Sequence, residues 1–150
     1  NIYGPNDKFD FEKSHFLGAS ISKVLLADEK FSIWGTGEEK RDVLYIDDLV
    51  SFVNLCLHEQ QEKFLLLNCG AGEAISVKEI IQKIIDASGK KLSTEHDLSQ
   101  PSIPTSLSLN CSQAKEKLGW EPRISLEEGI KNTIDWWKEN IDSTTLGKFT

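Results

Sequence analysis

The chain of 150 residues carries 17 basic and 24 acidic residues, a net charge of −7, with 39% hydrophobic residues and a mean hydropathy of −0.33. That balance belongs to a folded domain and excludes a disordered chain, and no Lys/Arg cluster beyond Lys40-Arg41 or Lys90-Lys91 is present to grip a nucleic-acid backbone. The longest unbroken aliphatic or aromatic run, Phe64 to Leu67, is far too short to span a bilayer.

The opening Asn1-Ile2-Tyr3-Gly4-Pro5 is neither a start methionine nor a targeting sequence, and methionine is absent throughout, so the chain reads as a piece of something longer. Gly4-Pro5-Asn6-Asp7 is a turn signal. Ser14 is then expected to cap a helix that places Leu17, Ile21, Val24 and Leu25 on one face. Phe31 to Trp34 reads as a strand stopped by Gly35-Thr36-Gly37, and Val43 to Ile46 as a second strand. Asp47 or Asp48 is expected to cap the next helix, with an apolar stripe of Leu49, Phe52, Val53, Cys56 and Leu57.

Phe64 to Asn68 has the continuous apolar pattern of a strand covered on both faces, as in a parallel sheet. Ser76-Val77-Lys78-Glu79 is a capping box that opens a helix burying Val77, Ile80, Ile81, Ile84 and Ile85, with Gly89 as its stop. Lys91 to His96 is expected as an exposed strand. Pro101 and Pro104 punctuate a loop, and Ser106 to Leu109 alternates like a strand. Asn110 or Ser112 opens a short helix ending at Leu118-Gly119-Trp120. Ser125-x-x-Glu128 is a second capping box, for a helix turning Leu126, Ile130, Ile134, Trp137 and Ile141 inward. The tail from Ser143 to Thr150 has no periodicity. Short strands alternating with amphipathic helices make an α/β chain with few strands: part of a sheet plus a mixed α/β cap.

The three cysteines, Cys56, Cys69 and Cys111, lack C-x-x-C spacing, so neither a disulfide scaffold nor a metal site is expected, and a reducing cytoplasm fits. Neither Gly35-x-Gly37 nor Gly70-x-Gly72 completes G-x-G-x-x-G, and neither Tyr3 nor Tyr45 has a lysine four places on. No dinucleotide-binding fingerprint is therefore present, and no cofactor is expected on this chain itself.

Four segments resemble the C-terminal half of the extended short-chain dehydrogenase/reductase family, the NAD-dependent nucleotide-sugar epimerases and dehydratases. They are Asn1-Ile2-Tyr3-Gly4-Pro5; Trp34-Gly35-Thr36-Gly37 with Arg41-Asp42-Val43-Leu44-Tyr45-Ile46-Asp47-Asp48; Phe64 to Gly70 with Ser76-Val77-Lys78-Glu79; and Asn110 to Pro122 with Ser125 to Ile130. Asn6-Asp7-Lys8-Phe9-Asp10 followed by Ser14-His15 is similar, more narrowly, to a segment of GDP-L-fucose synthases, with Lys8 and Gly18 departing from it and Ser106 lying near a commonly basic position.

The resemblance implies a partial Rossmann-like sheet plus a small mixed α/β substrate-binding subdomain. Residues 1–142 would form the substrate-binding portion, with the last Rossmann elements interleaved at about 43–68, a frayed tail at 143–150, and the NAD(P)-binding domain elsewhere. It implies a nucleotide-sugar substrate, NAD or NADP in the intact parent, and a cytoplasmic enzyme that is both oxidoreductase and isomerase. His15 would be the acid of ring epimerisation, a role suited to an imidazole that titrates near neutrality. Arg41 would hold the diphosphate, its planar fork matching paired phosphate oxygens, or else pair with Asp42 or Glu38. Asn1, Lys23 and Trp34 complete the expected substrate-binding set, with core packing for Trp34 and a solvated lysine for Lys23 as the plainer readings. His58 and His96 read as surface residues, and Trp120, Trp136 and Trp137 as packing. Alternatives are a UDP- or CDP-sugar 4-epimerase or dehydratase, and a non-catalytic nucleotide-sugar or protein-binding module. The surface left bare by a separate domain should be an apolar patch or be hidden by self-association.

Overall fold

Residues 1–10, 13–100 and 105–141 are described by a computed structural model. In chain order they give β1 (Ile2–Tyr3), α1 (Phe16–Leu26), β2 (Lys30–Trp34), β3 (Lys40–Arg41), β4 (Leu44–Tyr45) and α2 (Ile46–Glu59). There follow β5 (Ile75–Ser76), α3 (Val77–Ser88), β6 (Ser93–Asp97), α4 (Ser112–Leu118) and α5 (Leu126–Asn140). The α/β class is as expected. Strands β1–β4 and β2–β6 pair in parallel and β3–β5 antiparallel, as three two-stranded sheets among the described residues. The Pro101–Pro104 loop and the 143–150 tail lie outside the described residues.

The main core forms where α3 packs on α1 and α5. Ser76 caps α3 through its hydroxyl, which accepts from Glu79 N–H, while the Glu79 carboxylate accepts from Ser76 N–H in return. Gly89 ends the helix in the left-handed conformation, φ 75°. All five expected apolar residues of α3 are buried, facing Leu17, Ile21 and Val24 of α1 and Ile130, Ile134 and Trp137 of α5. Each fully buried aliphatic side chain contributes about 1.5–3 kcal/mol, so this three-helix layer holds the molecule together. Trp137 donates its indole N–H to Ser22 Oγ at 3.1 Å, and Ser22 donates to the Phe9 carbonyl at 2.9 Å. Trp136 stacks on Phe9, with centroids 5.7 Å apart.

Gly129 of α5 is required by packing. A Cβ there would strike the Tyr3 hydroxyl and lie 2.9 Å from Tyr45 Cδ2. The two tyrosine rings meet edge to face at 5.6 Å. Burial, reinforced by Tyr45, Asp48 and Glu127, pushes the Tyr3 phenol far above its ordinary range. It remains a neutral donor, to the Leu126 carbonyl at 3.4 Å.

A second, smaller cluster gathers Leu44, Ala114, Leu118 and Trp120 against partly buried Leu49, Phe52, Cys56 and Leu67. Here several expectations need correction. Helix α2 starts at Ile46, so only Leu44–Tyr45 of the expected Val43–Ile46 strand is extended. The N-cap is Tyr45, without a side-chain bond, rather than Asp47 or Asp48. Asp48 instead turns inward and accepts from Arg123 N–H at 2.9 Å and Ile124 N–H at 3.0 Å. Val53 and Leu57 of the predicted stripe are exposed.

The largest correction is at Phe64–Asn68. It forms no strand, because no neighbouring strand among the described residues meets its backbone. Its side chains still alternate, with Leu65 and Leu67 partly covered and Phe64 and Leu66 80% and 75% exposed. Of Ser106–Leu109, only Ser106 bridges a strand, at Lys40. Ser14 does not cap α1: its hydroxyl turns back to the Lys8 carbonyl and His15 takes the cap position without a side-chain bond. Helix α4 opens at Ser112, one of the two expected positions, with Cys111 in the cap position without a side-chain bond. At α5 only the serine half of the second box is made, Ser125 Oγ accepting from Glu128 N–H.

Candidate functional site

Two of the candidate residues, Asn1 and Arg41, come from the region of β1, β3 and β4. Parallel pairing of Ile2 with Leu44 and Tyr3 with Tyr45 lays Asn1 beside the turn between β3 and β4. Leu44 N–H donates to the Asn1 carbonyl at 2.8 Å, and Asn1 Nδ2 donates to the Asp42 carbonyl at 3.0 Å. Asn1 therefore stands next to the residue that follows Arg41.

Arg41 pairs across β3–β5 with Ile75 and is partly exposed. Its Nη1 donates to Thr105 Oγ1 at 3.3 Å. The backbone of that segment is fixed to the same strand, since Lys40 N–H donates to the Thr105 carbonyl at 2.8 Å. A guanidinium has five N–H donors, and among the described residues only this one hydrogen bond engages it, so most of the fork is open to an anion. Neither of the expected alternative partners holds it. Glu38 pairs with Lys78 at 2.6 Å. Asp42 is buried and accepts from Ala71 N–H at 2.7 Å, Leu109 N–H at 2.9 Å and Gly72 N–H at 3.2 Å.

Lys23 and Trp34 form a second pair. The ammonium lies 5.4 Å from the indole centroid, a cation–π contact. Trp34 ends β2 with 52% of its surface exposed, so it is not core packing, while Lys23 is exposed to solvent beside it. A half-exposed indole beside a cation can meet a planar base and a phosphate. His15 is exposed at the N-cap of the helix that carries Lys23, about 12 Å away along the axis. No hydrogen bond ties its ring among the described residues. The structure thus joins Asn1 to Asp42, the neighbour of Arg41, and Lys23 to Trp34. His58 and His96 are exposed, as expected, with His96 Nδ1 3.2 Å from the Gly35 carbonyl.

Two surface concavities lie elsewhere. One, of about 400 Å³, is lined by Ala71, Leu109, Cys111, Lys115 and Trp120 among others. The other, of about 240 Å³, lies between Tyr3, Tyr45 and Ile124. Neither is lined by His15, Lys23, Trp34, Arg41 or Asn1. The cysteines are free thiols. Burial, with Cys111 and Cys56 nearby, pushes Cys69 up to about 11, which leaves it a poor nucleophile at neutral pH. No group of metal-ligating side chains is present among the described residues.

A pyridine dinucleotide needs free backbone N–H groups on a glycine turn to cradle its pyrophosphate. In the two glycine turns here several of these groups are already engaged: Gly35 N–H donates to the Asp97 carbonyl at 2.9 Å, and the Ala71 and Gly72 N–H groups donate to Asp42.

Asp42 is the member of the site that sequence reasoning missed. It entered only as a possible partner for Arg41, since donors at positions 71, 72 and 109 are not visible from local spacing. Local spacing offers only its place between Arg41 and Val43.

Residues 1–133 match the family model described as GDP-mannose 4,6 dehydratase. The chain is 34% identical over 146 residues to a GDP-L-fucose synthase of Sinorhizobium fredii, covering 94% of this chain and 46% of that protein. Among solved structures, the UDP-glucose 4-epimerase of Thermotoga maritima with UDP-glucose superposes with a TM-score of 0.78 at 28% identity, over 95% of this chain and 45% of the other. MoeE5, solved in complex with UDP-glucuronic acid and NAD, superposes at 0.77 with 25% identity, over 94% of this chain and 46% of the other. The chain spans about half the length of the relatives it matches. No helix among the described residues is long and apolar enough to cross a membrane.

Proposed function

The chain belongs to the GDP-mannose 4,6 dehydratase family, and from that premise we propose that it is the nucleotide-sugar-binding portion of an epimerase/reductase of the GDP-L-fucose synthase kind. The observation that carries this reading is that Asn1 is hydrogen-bonded to the Asp42 carbonyl, next in the chain to Arg41, whose guanidinium makes one hydrogen bond among the described residues. Arg41 grips the diphosphate bidentately and Asn1 hydrogen-bonds a sugar or phosphate oxygen. Trp34 stacks the base, and Lys23 adds a charge at its edge.

His15 is the acid of epimerisation. A carbon beside a ketone loses its proton to a base, and an imidazolium on the opposite face returns one, leaving the inverted centre and a neutral imidazole. The base belongs to the separate NAD(P)-binding half. Reduction is assigned to that half too, because neither glycine turn here completes G-x-G-x-x-G and the Gly35, Ala71 and Gly72 N–H groups are engaged. When bound there, the nicotinamide supplies the hydride. The 150-residue chain alone is accordingly expected to show no reductase activity.

The exposed apolar side chains of Val50, Val53, Leu57, Phe64 and Leu66 support an unfinished face that the other half covers, or that self-association hides when it is missing. They speak against a stand-alone binding module, which would present a polar surface there. A UDP-sugar epimerase is the second reading, favoured by the UDP-glucose complex among the matching structures.

Calorimetry of the chain with GDP, UDP and CDP tests the proposal. GDP should bind, UDP and CDP more weakly, and Arg41→Ala should weaken GDP by about tenfold or more. Preference for UDP would move the assignment to the epimerase reading. Absence of any nucleotide binding, or turnover of a 4-keto-6-deoxy nucleotide sugar by this chain alone, would overturn it.

A further inference from the structure

A buried carboxylate is costly unless every lone pair in use meets a donor. Asp42 is 4% exposed and meets that condition with three main-chain N–H groups from two distant segments, 71–72 and 109. An asparagine or serine has one oxygen and could not accept all three in this arrangement. Gly70 makes room: a Cβ there would lie 2.9 Å from Asp42 Oδ2. The Asp42 carbonyl accepts the Asn1 side-chain amide at 3.0 Å, and Asp42's N-terminal neighbour is Arg41.

Asp48 provides the contrast within one fold. It is 3% exposed and holds two main-chain N–H groups, those of Arg123 and Ile124, yet its carbonyl accepts the Trp120 indole N–H at 3.2 Å. It staples a packing contact and touches none of the candidate substrate residues.

We infer that Asp42 is the positioning residue of the nucleotide-sugar face: its main chain orients the Asn1 amide, and its carboxylate anchors the strand turn that carries Arg41. The inference rests on the function proposed above. Asp42→Asn would turn an NH₂ toward at least one of the three donors and free the strand turn to shift.

The test compares Asp42→Asn with Asp48→Asn in the 150-residue chain, by nitrogen-15 NMR and GDP calorimetry at a temperature where both are folded. In Asp42→Asn the Asn1 side-chain NH₂ and Arg41 Nε–H signals should move and GDP affinity should fall about tenfold. In Asp48→Asn both signals should stay, and affinity should hold within about twofold despite a comparable loss of stability. Unmoved Asn1 and Arg41 signals in Asp42→Asn, or an equal loss of affinity in both variants, would overturn the positioning role. If the wild-type chain binds no GDP, the nucleotide-sugar reading falls while the two NMR signals still decide for or against Asp42. Should Asp42→Asn fail to fold, Gly70→Ala presses on the same carboxylate with its charge intact and is expected to move the same signals.

Discussion

Helices α2 and α3 both carry apolar stripes, but they bury them to opposite extents. In α3, Val77, Ile80, Ile81, Ile84 and Ile85 are all 6% exposed or less. In α2 the only fully buried residue is Asp48, while Val50, Val53 and Leu57 are 46–75% exposed. The difference lies in what surrounds each helix. Helix α3 sits between α1 and α5, whereas α2 packs on α4 and leaves its outer face uncovered beside the described residues. A hydrophobic stripe announces that a helix must be covered; it does not say which surface supplies the cover.

That contrast is broken most forcefully by truncating apolar side chains in the buried helix layer and in the exposed segment that follows α2. Ile84→Ala, at a site with no exposed surface, should cost about 2–5 kcal/mol by urea unfolding. Phe64→Ser and Leu66→Ser should each change stability by no more than about 0.5 kcal/mol in the chain alone, while reducing any self-association seen by sedimentation. A large loss from either serine variant would mean the bare face is covered in solution by something within the chain.

A second change probes where the two regions join, at Tyr3, Tyr45 and α5. Glycine to alanine inside a helix ordinarily stabilises by about 1 kcal/mol. At Gly129 the sign should reverse, to a loss of about 1–3 kcal/mol, because the added methyl meets the Tyr3 hydroxyl. Tyr3→Phe in the same chain should recover part of that loss in thermal melts, since it removes the clashing oxygen. Stabilisation by Gly129→Ala would place the Tyr3 ring elsewhere.

The same division separates what could be read in the sequence from what could not. The α3 helix was legible in full, cap and stop included, because its determinants are local: a serine and glutamate three apart, a 3.6-residue apolar period, a glycine. The Phe64–Asn68 run has the apolar pattern of a strand, and its alternation is there, but a strand needs a neighbour and none of the described residues provides one. The acids were hardest. Asp47 or Asp48 was expected to cap α2 because both sit at its start, yet Asp48 serves amides 75 and 76 residues away. At the candidate site the residue types of Arg41, Asn1, Lys23 and Trp34 were visible; their pairing, and the part of Asp42 in it, depends on contacts between distant segments.

The smallest effect sharpens the comparison on the α3 side, where the capping box is complete. The Glu79 carboxylate accepts from Ser76 Oγ at 2.6 Å and Ser76 N–H at 3.1 Å, and these bonds hold it below its ordinary value of 4.5. A carboxylate whose pKa is lowered on folding stabilises the folded state above the unfolded value, and that contribution disappears as pH falls through the folded one. Wild type should therefore lose its advantage over Glu79→Gln as pH drops below 4.5, while the two melt closest together in strong acid. Glutamine keeps the reciprocal geometry of the box, so the difference between the two curves isolates the charge. Being fully solvated, the group should move the melting temperature less than either change above, and parallel curves across that range would show that the hydrogen bonds to Ser76 carry no preference for the ionised form.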